Sequence, residues 1–229
     1  MVTIDAFPDD VLLEIFDFSV VKIQDPVFLA FDGYDTKWEI ESWQSLVHVC
    51  RRWRNLVFGS PRRLNLQLCW STKTPATETL NVWPALPLLV VGNVFEESVD
   101  NVIAELEHND RISQINLYCR TPLHIEKLWT AMEAPFPELA VLYLSFEGLP
   151  CGPDLPDSFL GGSAPRLQCL ALTSISFPRL PNLLLSAPHL VRLWLLNIPH
   201  SGYISPEAMA TSLSVLTGLE DLHFRFHSP

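Results

Sequence analysis

The chain has 229 residues, 48% hydrophobic and 18% charged, which excludes a disordered polymer and predicts a packed core with room for one sizeable domain and a small module. A net charge of -11 and a pI near 5 argue against non-specific binding to nucleic acid or to an anionic membrane surface. Cys50, Cys69, Cys119, Cys151 and Cys169 are odd in number and hold no Cys-x-x-Cys pair, so reduced thiols are expected, with Cys50 and Cys169 as small buried hydrophobes.

Asp5, Asp9, Asp10 and Glu14 interrupt the first twenty residues where a secretory signal needs an apolar core, and no apolar run approaches a membrane span. A soluble protein of the cytoplasm or nucleus, with no membrane partner, is expected. The first element is a helix. Pro8 suits a first helical position, Asp9 and Asp10 place negative charge at the positive dipole end, and Val11, Leu12, Ile15 and Phe16 form one face. Residues 19–42 contain Asp25-Pro26 and Asp32-Gly33 and read as an inserted loop. A second helix is predicted over 43–59, where Trp43, Leu46, Val49, Cys50, Trp53 and Leu56 recur at intervals of three and four, and Gly59 and Pro61 stop it. Five of the fifteen basic residues fall between Arg51 and Arg63, as either a solvated face or a docking patch for an acidic partner.

Proline, acidic pair, apolar helix, then a helix carrying Val49-Cys50-Arg51-Arg52-Trp53: this part of the chain resembles an F-box over roughly its first 65 residues. Phe7-Pro8 stands where the family has Leu-Pro, and the 19–42 segment is longer than the family's usual connection. The resemblance implies binding to a Skp-family adaptor, and through it to a cullin, by Phe7, Pro8, Leu12, Ile15, Leu46, Val49, Cys50 and Trp53. In so small a module about half of these touch the adaptor and the rest are internal core. An insert packed aside leaves the helices free to meet; one lying across their ridge blocks the adaptor.

Past Pro61 the period changes. Leu86, Leu89, Val91; Ile112, Ile115, Leu117; Leu139, Leu142, Leu144; Leu167, Leu170, Leu172; Leu190, Leu193, Leu195; and Leu219, Leu222, Phe224 repeat the form Leu-x-x-Leu-x-Leu. Their first positions advance by 26, 27, 28, 23 and 29 residues, close to the period of leucine-rich repeats, which the region resembles. Lead-ins recur as Phe136-Pro137, Ala164-Pro165 and Ala187-Pro188. Helices are predicted after Ser98 through Val99, Val102, Ile103 and Leu106, over Leu123 to Met132, and after Ser205-Pro206 through Met209, Leu213 and Leu216. The connections between Leu144 and Leu190 are rich in Pro and Gly and read as loops with short helical turns. Regular leucine-rich repeats place an asparagine where this chain has Arg120, Glu147, Ile175 and Ile198, so the array is irregular. Leu64 and Leu66 are expected to add a first strand, and no polar capping unit follows the last repeat, leaving the array truncated, paired or closed by its short tail.

The expected fold class is therefore α/β: an F-box-like helical domain over 1–62, then a leucine-rich-repeat-like solenoid over 63–229 with a parallel sheet of short strands. Side chains between the strand leucines alternate to the opposite, concave face, where Tyr118, Tyr143, Arg192, Trp194, His223 and Arg225 have the character of binding hot spots or simply finish a sheet surface. No catalytic, cofactor-binding or metal-binding constellation is signalled: Gly-x-Ser-x-Gly, Walker, His-Glu-x-x-His and Gly-x-Gly-x-x-Gly patterns are all missing from the sequence. His48 and Cys50 diverge on a helix, and no strand and helix bracket Gly161-Gly162-Ser163 as a phosphate loop. The resemblance implies a non-enzymatic substrate-recognition subunit of a Skp/cullin/F-box ubiquitin ligase, with an unidentified protein substrate on the repeats. The alternative is a non-catalytic repeat scaffold whose first helices are only a cap, and an enzyme with a site in the concave groove is a third. Proline and tryptophan usage is similar to the F-box-like families of mushroom-forming fungi.

Overall fold

Residues 7–20, 41–71, 83–120, 125–147 and 154–226 are described in the computed structural model of the chain. Helix α1, Asp9–Ser19, follows Pro8 with its acidic pair in the first turn, and turns Leu12, Leu13 and Phe16 inward. The segment 43–59 is two helices where one was expected: α2, Gln44–Val47, and α3, Arg51–Gly59, flank His48, Val49 and an extended Cys50 at φ -157° and ψ 171°. β-branched Val47 and Val49 lower the helical propensity there. Arg54 Nε donates to the Val47 carbonyl at 3.0 Å, supplying a partner that the interrupted helix lacks. The break takes Val49 out of the apolar stripe and into solvent, while Trp43, Leu46, Val47 and Val57 are buried. Of the expected insert over 19–42, residues 21–40 lie outside the described residues.

Seven strands follow: β1 Leu68–Ser71, β2 Leu88–Val94, β3 Ile112–Cys119, β4 Val141–Phe146, β5 Cys169–Thr173, β6 Arg192–Ile198 and β7 Asp221–Phe226. They form one parallel sheet in chain order. The repeat leucines stand in register, Ile115, Leu142, Leu170, Leu193 and Leu222 along one row and Leu117, Leu144, Leu172, Leu195 and Phe224 along the next. Helices α4 Val99–Leu106, α5 Ile125–Ala131, α6 Leu180–Leu185 and α7 Pro206–Leu213 return the chain between strands. Their Val102, Leu106, Leu128, Leu183 and Leu184 pack on those rows, so each unit buries its leucines with help from the next. Ser205 caps α7, accepting from Ala208 N at 3.2 Å. Ser98 does not cap α4 as expected; its hydroxyl closes a 3-10 turn, Glu96–Ser98, by accepting from Phe95 N at 2.9 Å.

Two expectations about the first unit need correction. Val90 pairs with Ile115 while Leu89 and Val91 pair with Gln114 and Asn116, so the core positions are Leu88 and Val90, one residue out of the expected phase. The run Leu88-Leu89-Val90-Val91 is apolar on both faces, which erases the alternation that sets phase. A first strand does precede it, but begins at Leu68, which pairs with Leu88; Leu64 and Leu66 are buried in the turn before it, around Asn65 at φ 47°. Packing crosses the expected 62/63 boundary without a gap, since Leu12, Phe16 and Trp43 belong to the same core as the repeat leucines.

The helices also finish the sheet. Glu41 Oε1 accepts from the backbone N–H of Cys69 in β1 at 2.9 Å, and Trp43 Nε1 donates to the Gln67 carbonyl at 3.0 Å. Trp43 stacks edge-on against Trp83 and Phe58, with ring centroids 5.1 and 5.9 Å away. The outer edge of a parallel sheet needs donors, acceptors and apolar cover, and these residues supply all three to β1.

Candidate functional site

The α1 helix carries two apolar faces. Leu12, Leu13 and Phe16 are buried, with Phe16 against Trp53 at 4.6 Å between ring centroids. Phe7, Val11, Ile15 and Phe18 recur at intervals of four, four and three on another face and stay exposed, Phe18 at 90%. Val49 is 58% exposed. Three residues beyond it, Arg52 Nη2 donates to Asp9 Oδ1 and to the Phe7 carbonyl, both at 2.6 Å, which ties the start of α3 to the start of α1. Arg63 pairs with Glu14. Part of the arginine cluster is thus a staple within the module, while Arg51 and Arg62 are exposed.

Of the residues that the F-box resemblance implies for the adaptor face, Phe7, Pro8, Ile15 and Val49 are exposed, Cys50 and Trp53 are half-buried, and Leu12 and Leu46 are core. Val11 and Phe18 belong to the exposed ridge and were missed. The signal for Phe18 lay in its helical phase with Phe7, Val11 and Ile15, obscured because Leu12, Leu13 and Phe16 define a second stripe in the same eleven residues.

The sheet face turned away from the helices is not uniform. At β1 and β2, Cys69 and Leu89 form a small buried cluster with Val91 packed on it. At β4 and β5, Val141, Tyr143, Cys169 and Ala171 are buried together, and the Tyr143 hydroxyl lies 3.0 Å from Cys169 Sγ. Tyr143 therefore presents little surface, while Tyr118 packs half-buried on that cluster. Asn116 is buried beside it in the row of Val91 and Tyr143, its amide atoms making no hydrogen bond to any described residue.

The polar part of this face lies at β6 and β7. Trp194 Nε1 donates to Asp221 Oδ2 at 2.9 Å, His223 Nε2 stands 2.9 Å from Asp221 Oδ1, and the Trp194 and His223 rings meet edge to face at 5.4 Å. Asp221, one of the alternating concave-face positions but not one of the six binding candidates, organises this group. Arg192 is half-buried in the same register row, and Arg225 is exposed. Among the described residues no hydroxyl or thiol contacts His223, so the Asp221–His223 pair lacks a nucleophile to activate. The arrangement offers an aromatic surface with both signs of charge, suited to contact with another polypeptide.

Elsewhere a shallow, largely apolar depression of about 590 Å³ lies between α4 and α5, lined by Ile103, Leu106, Lys127 and Ala131 among others. Among the described residues no group of three His, Cys, Asp or Glu is placed to hold a metal ion, and no helix is long and apolar enough to cross a membrane. Glu105, on α4, is buried with neither carboxylate oxygen hydrogen-bonded to a described residue, and burial pushes its pKa up to about 7 against a smaller lowering by Arg111. It faces core rather than cleft. Compared with known family models, curated proteins and solved structures, the chain matches none.

Proposed function

We propose that the protein is a non-enzymatic substrate-recognition subunit of a Skp/cullin/F-box type ubiquitin ligase, acting in the cytoplasm or nucleus. In this reading the N-terminal helices bind a Skp-family adaptor, and the sheet face at β6 and β7 holds a protein substrate. One observation carries it: after the helices have built their own core, the Phe7, Val11, Ile15 and Phe18 ridge and Val49 are left in solvent. A helix that buries one apolar face internally and exposes a second has a surface made for a partner's groove. The Arg52 staple holds the two contributing segments together without covering them.

A second reading is favoured by the Glu41 and Trp43 contacts to β1. It makes the helices only a cap for the sheet, in a non-catalytic repeat scaffold. Co-expression with a Skp-family adaptor, followed by affinity capture and a thermal melt, separates the two. The ligase reading expects a stoichiometric complex, lost in the Ile15→Glu/Val49→Glu double variant with the melting temperature held within a few degrees, since both side chains are exposed. A folded wild type that captures no adaptor, or a double variant that captures it equally well, overturns it. Trp53→Ala is the poorer probe because Trp53 packs on Phe16 inside the module.

A further inference from the structure

We propose that two copies of this chain join edge to edge through β7, the strands running antiparallel about a two-fold axis at His223. The proposal is independent of the adaptor reading and concerns the opposite end of the molecule.

Strand β7 is the last in the sheet, and among the described residues nothing pairs with its outer edge. An edge strand turns about half of its backbone N–H and C=O groups away from its one neighbour, a template for another strand. Its sequence is Asp-Leu-His-Phe-Arg-Phe. The leucine-row positions that are buried in β3 to β6 are exposed here, Leu222 at 41%, Phe224 at 39% and Phe226 at 57%. β7 thus displays an apolar row on one face, a charged row on the other, and an unused edge between them.

What selects a second copy as the occupant is the order of charges. With the axis at His223, Asp221 stands opposite the copy's Arg225 and Arg225 opposite the copy's Asp221, two opposite-charge cross-strand pairs from one strand. Leu222 then faces Phe224 of the copy, and Phe224 faces Leu222. A two-fold axis normal to the sheet keeps each face with its like, so the register can shift only by whole steps about neighbouring residues. One step one way sets Asp221 against His223 and Glu220 against Phe224, and one step the other way sets His223 against Arg225; only the register at His223, which leaves Glu220 opposite Phe226, forms the two Asp221–Arg225 pairs. Asp221 is already oriented by Trp194 and His223, and Arg225 makes no ion pair among the described residues. The product is one continuous sheet of twice the length, with both polar recognition faces on one side of it and the N-terminal helices at its two far ends.

Sedimentation velocity of the full chain over a concentration series tests this. Wild type is expected to dimerise, and Arg225→Asp, which sets like charges opposite one another twice, to raise the dissociation constant about tenfold or more. The charge-swapped Asp221→Arg/Arg225→Asp protein is expected to recover dimer, and Ile15→Glu/Val49→Glu to dimerise as wild type does. A wild type monomeric at the highest concentration, a dimer indifferent to Arg225→Asp, failure of the swap to restore association in a protein that still melts cooperatively, or loss of the dimer on the Ile15/Val49 change would each overturn the proposal.

Discussion

The two outer strands of the sheet have the same neighbour arrangement and opposite surroundings. At β1 the edge N–H of Cys69 is bonded by Glu41, the preceding Gln67 carbonyl by Trp43, and Leu68 and Trp70 are buried. At β7 the equivalent row, Leu222, Phe224 and Phe226, is exposed, and no described residue covers the edge. The rows themselves are apolar at both ends, so the difference is made by what lies beyond them: two helices and a tryptophan pair at β1, and no described residue at β7, whose charge pattern suits another copy of itself. In a parallel array each strand is satisfied from both sides, so the ends are where sequence must either close the sheet or hand it to a partner.

The largest effect should come from opening the closed end. Trp43→Ala removes a fully buried indole, its bond to Gln67 and its stacking on Trp83 and Phe58, and is expected to cost about 3 to 5 kcal/mol in urea unfolding. Phe226→Ala at the open end, in dilute protein, is expected to cost under about 0.5 kcal/mol because the ring is largely in water already. Equal losses would mean that the β1 cap contributes no more than the bare edge.

Two buried carboxylates sharpen the contrast with effects of opposite sign. Glu41 accepts from Cys69 N and, at 2.7 Å, from Gln44 Nε2, so Glu41→Ala leaves an edge donor unpaired and is expected to cost about 2 kcal/mol. Glu105 accepts from no described residue, and its pKa is raised to about 7 from 4.5, chiefly by desolvation. The folded protein therefore keeps this proton through the window where the unfolded chain has released it. The contribution of Glu105 falls as pH rises from about 4.5 to about 7, and the penalty is complete above that. Glu105→Gln is expected to stabilise the fold by about 2 to 3 kcal/mol at pH 8 and to leave it unchanged near pH 4, measured by melts at both values. A variant with the same advantage at both pH values would show that packing, not ionisation, governs the site.

Much of the repeat region was legible. Leu142, Leu144, Leu170, Leu172, Leu193 and Leu195 keep the Leu-x-x-Leu-x-Leu spacing behind similar proline lead-ins, so their register follows from the repeat. The same logic fails at Leu88 to Val91, where both faces are apolar and phase is set by pairing with β3 instead. The helical pair was harder. Helical spacing reports a face but not which of two faces is buried, and α1 has apolar residues on both, so Leu12 and Ile15 received the same role although one is core and the other exposed. Val47 and Val49 weaken the helix before Cys50, and Arg54 reaches back seven residues to the Val47 carbonyl, a contact that apolar spacing does not reveal. Trp194 and His223 were legible as concave-face candidates, but the linking role of Asp221 was not, because its bond to Trp194 crosses between strands, which spacing within one strand does not reveal.

The smallest effect tests whether the closed end is held by its surface as well as by its core. Arg52 reaches two acceptors across 43 and 45 residues of chain, whereas Arg179 in the repeat region pairs with Asp157 alone at 3.0 Å, both arginines being substantially exposed. Exposed pairs contribute little, since solvent screens them and ordering two side chains costs entropy. Arg52→Ala is nevertheless expected to cost up to about 1 kcal/mol and Arg179→Ala close to nothing, because the Phe7 carbonyl bond fixes the guanidinium that Asp9 then meets. In about 1 M salt the Arg52 effect should shrink without vanishing, the ion pair being screened and the carbonyl bond much less so. Complete loss of the effect in salt would reduce the staple to charge alone, leaving the orientation of α1 on α3 to the Phe16–Trp53 contact.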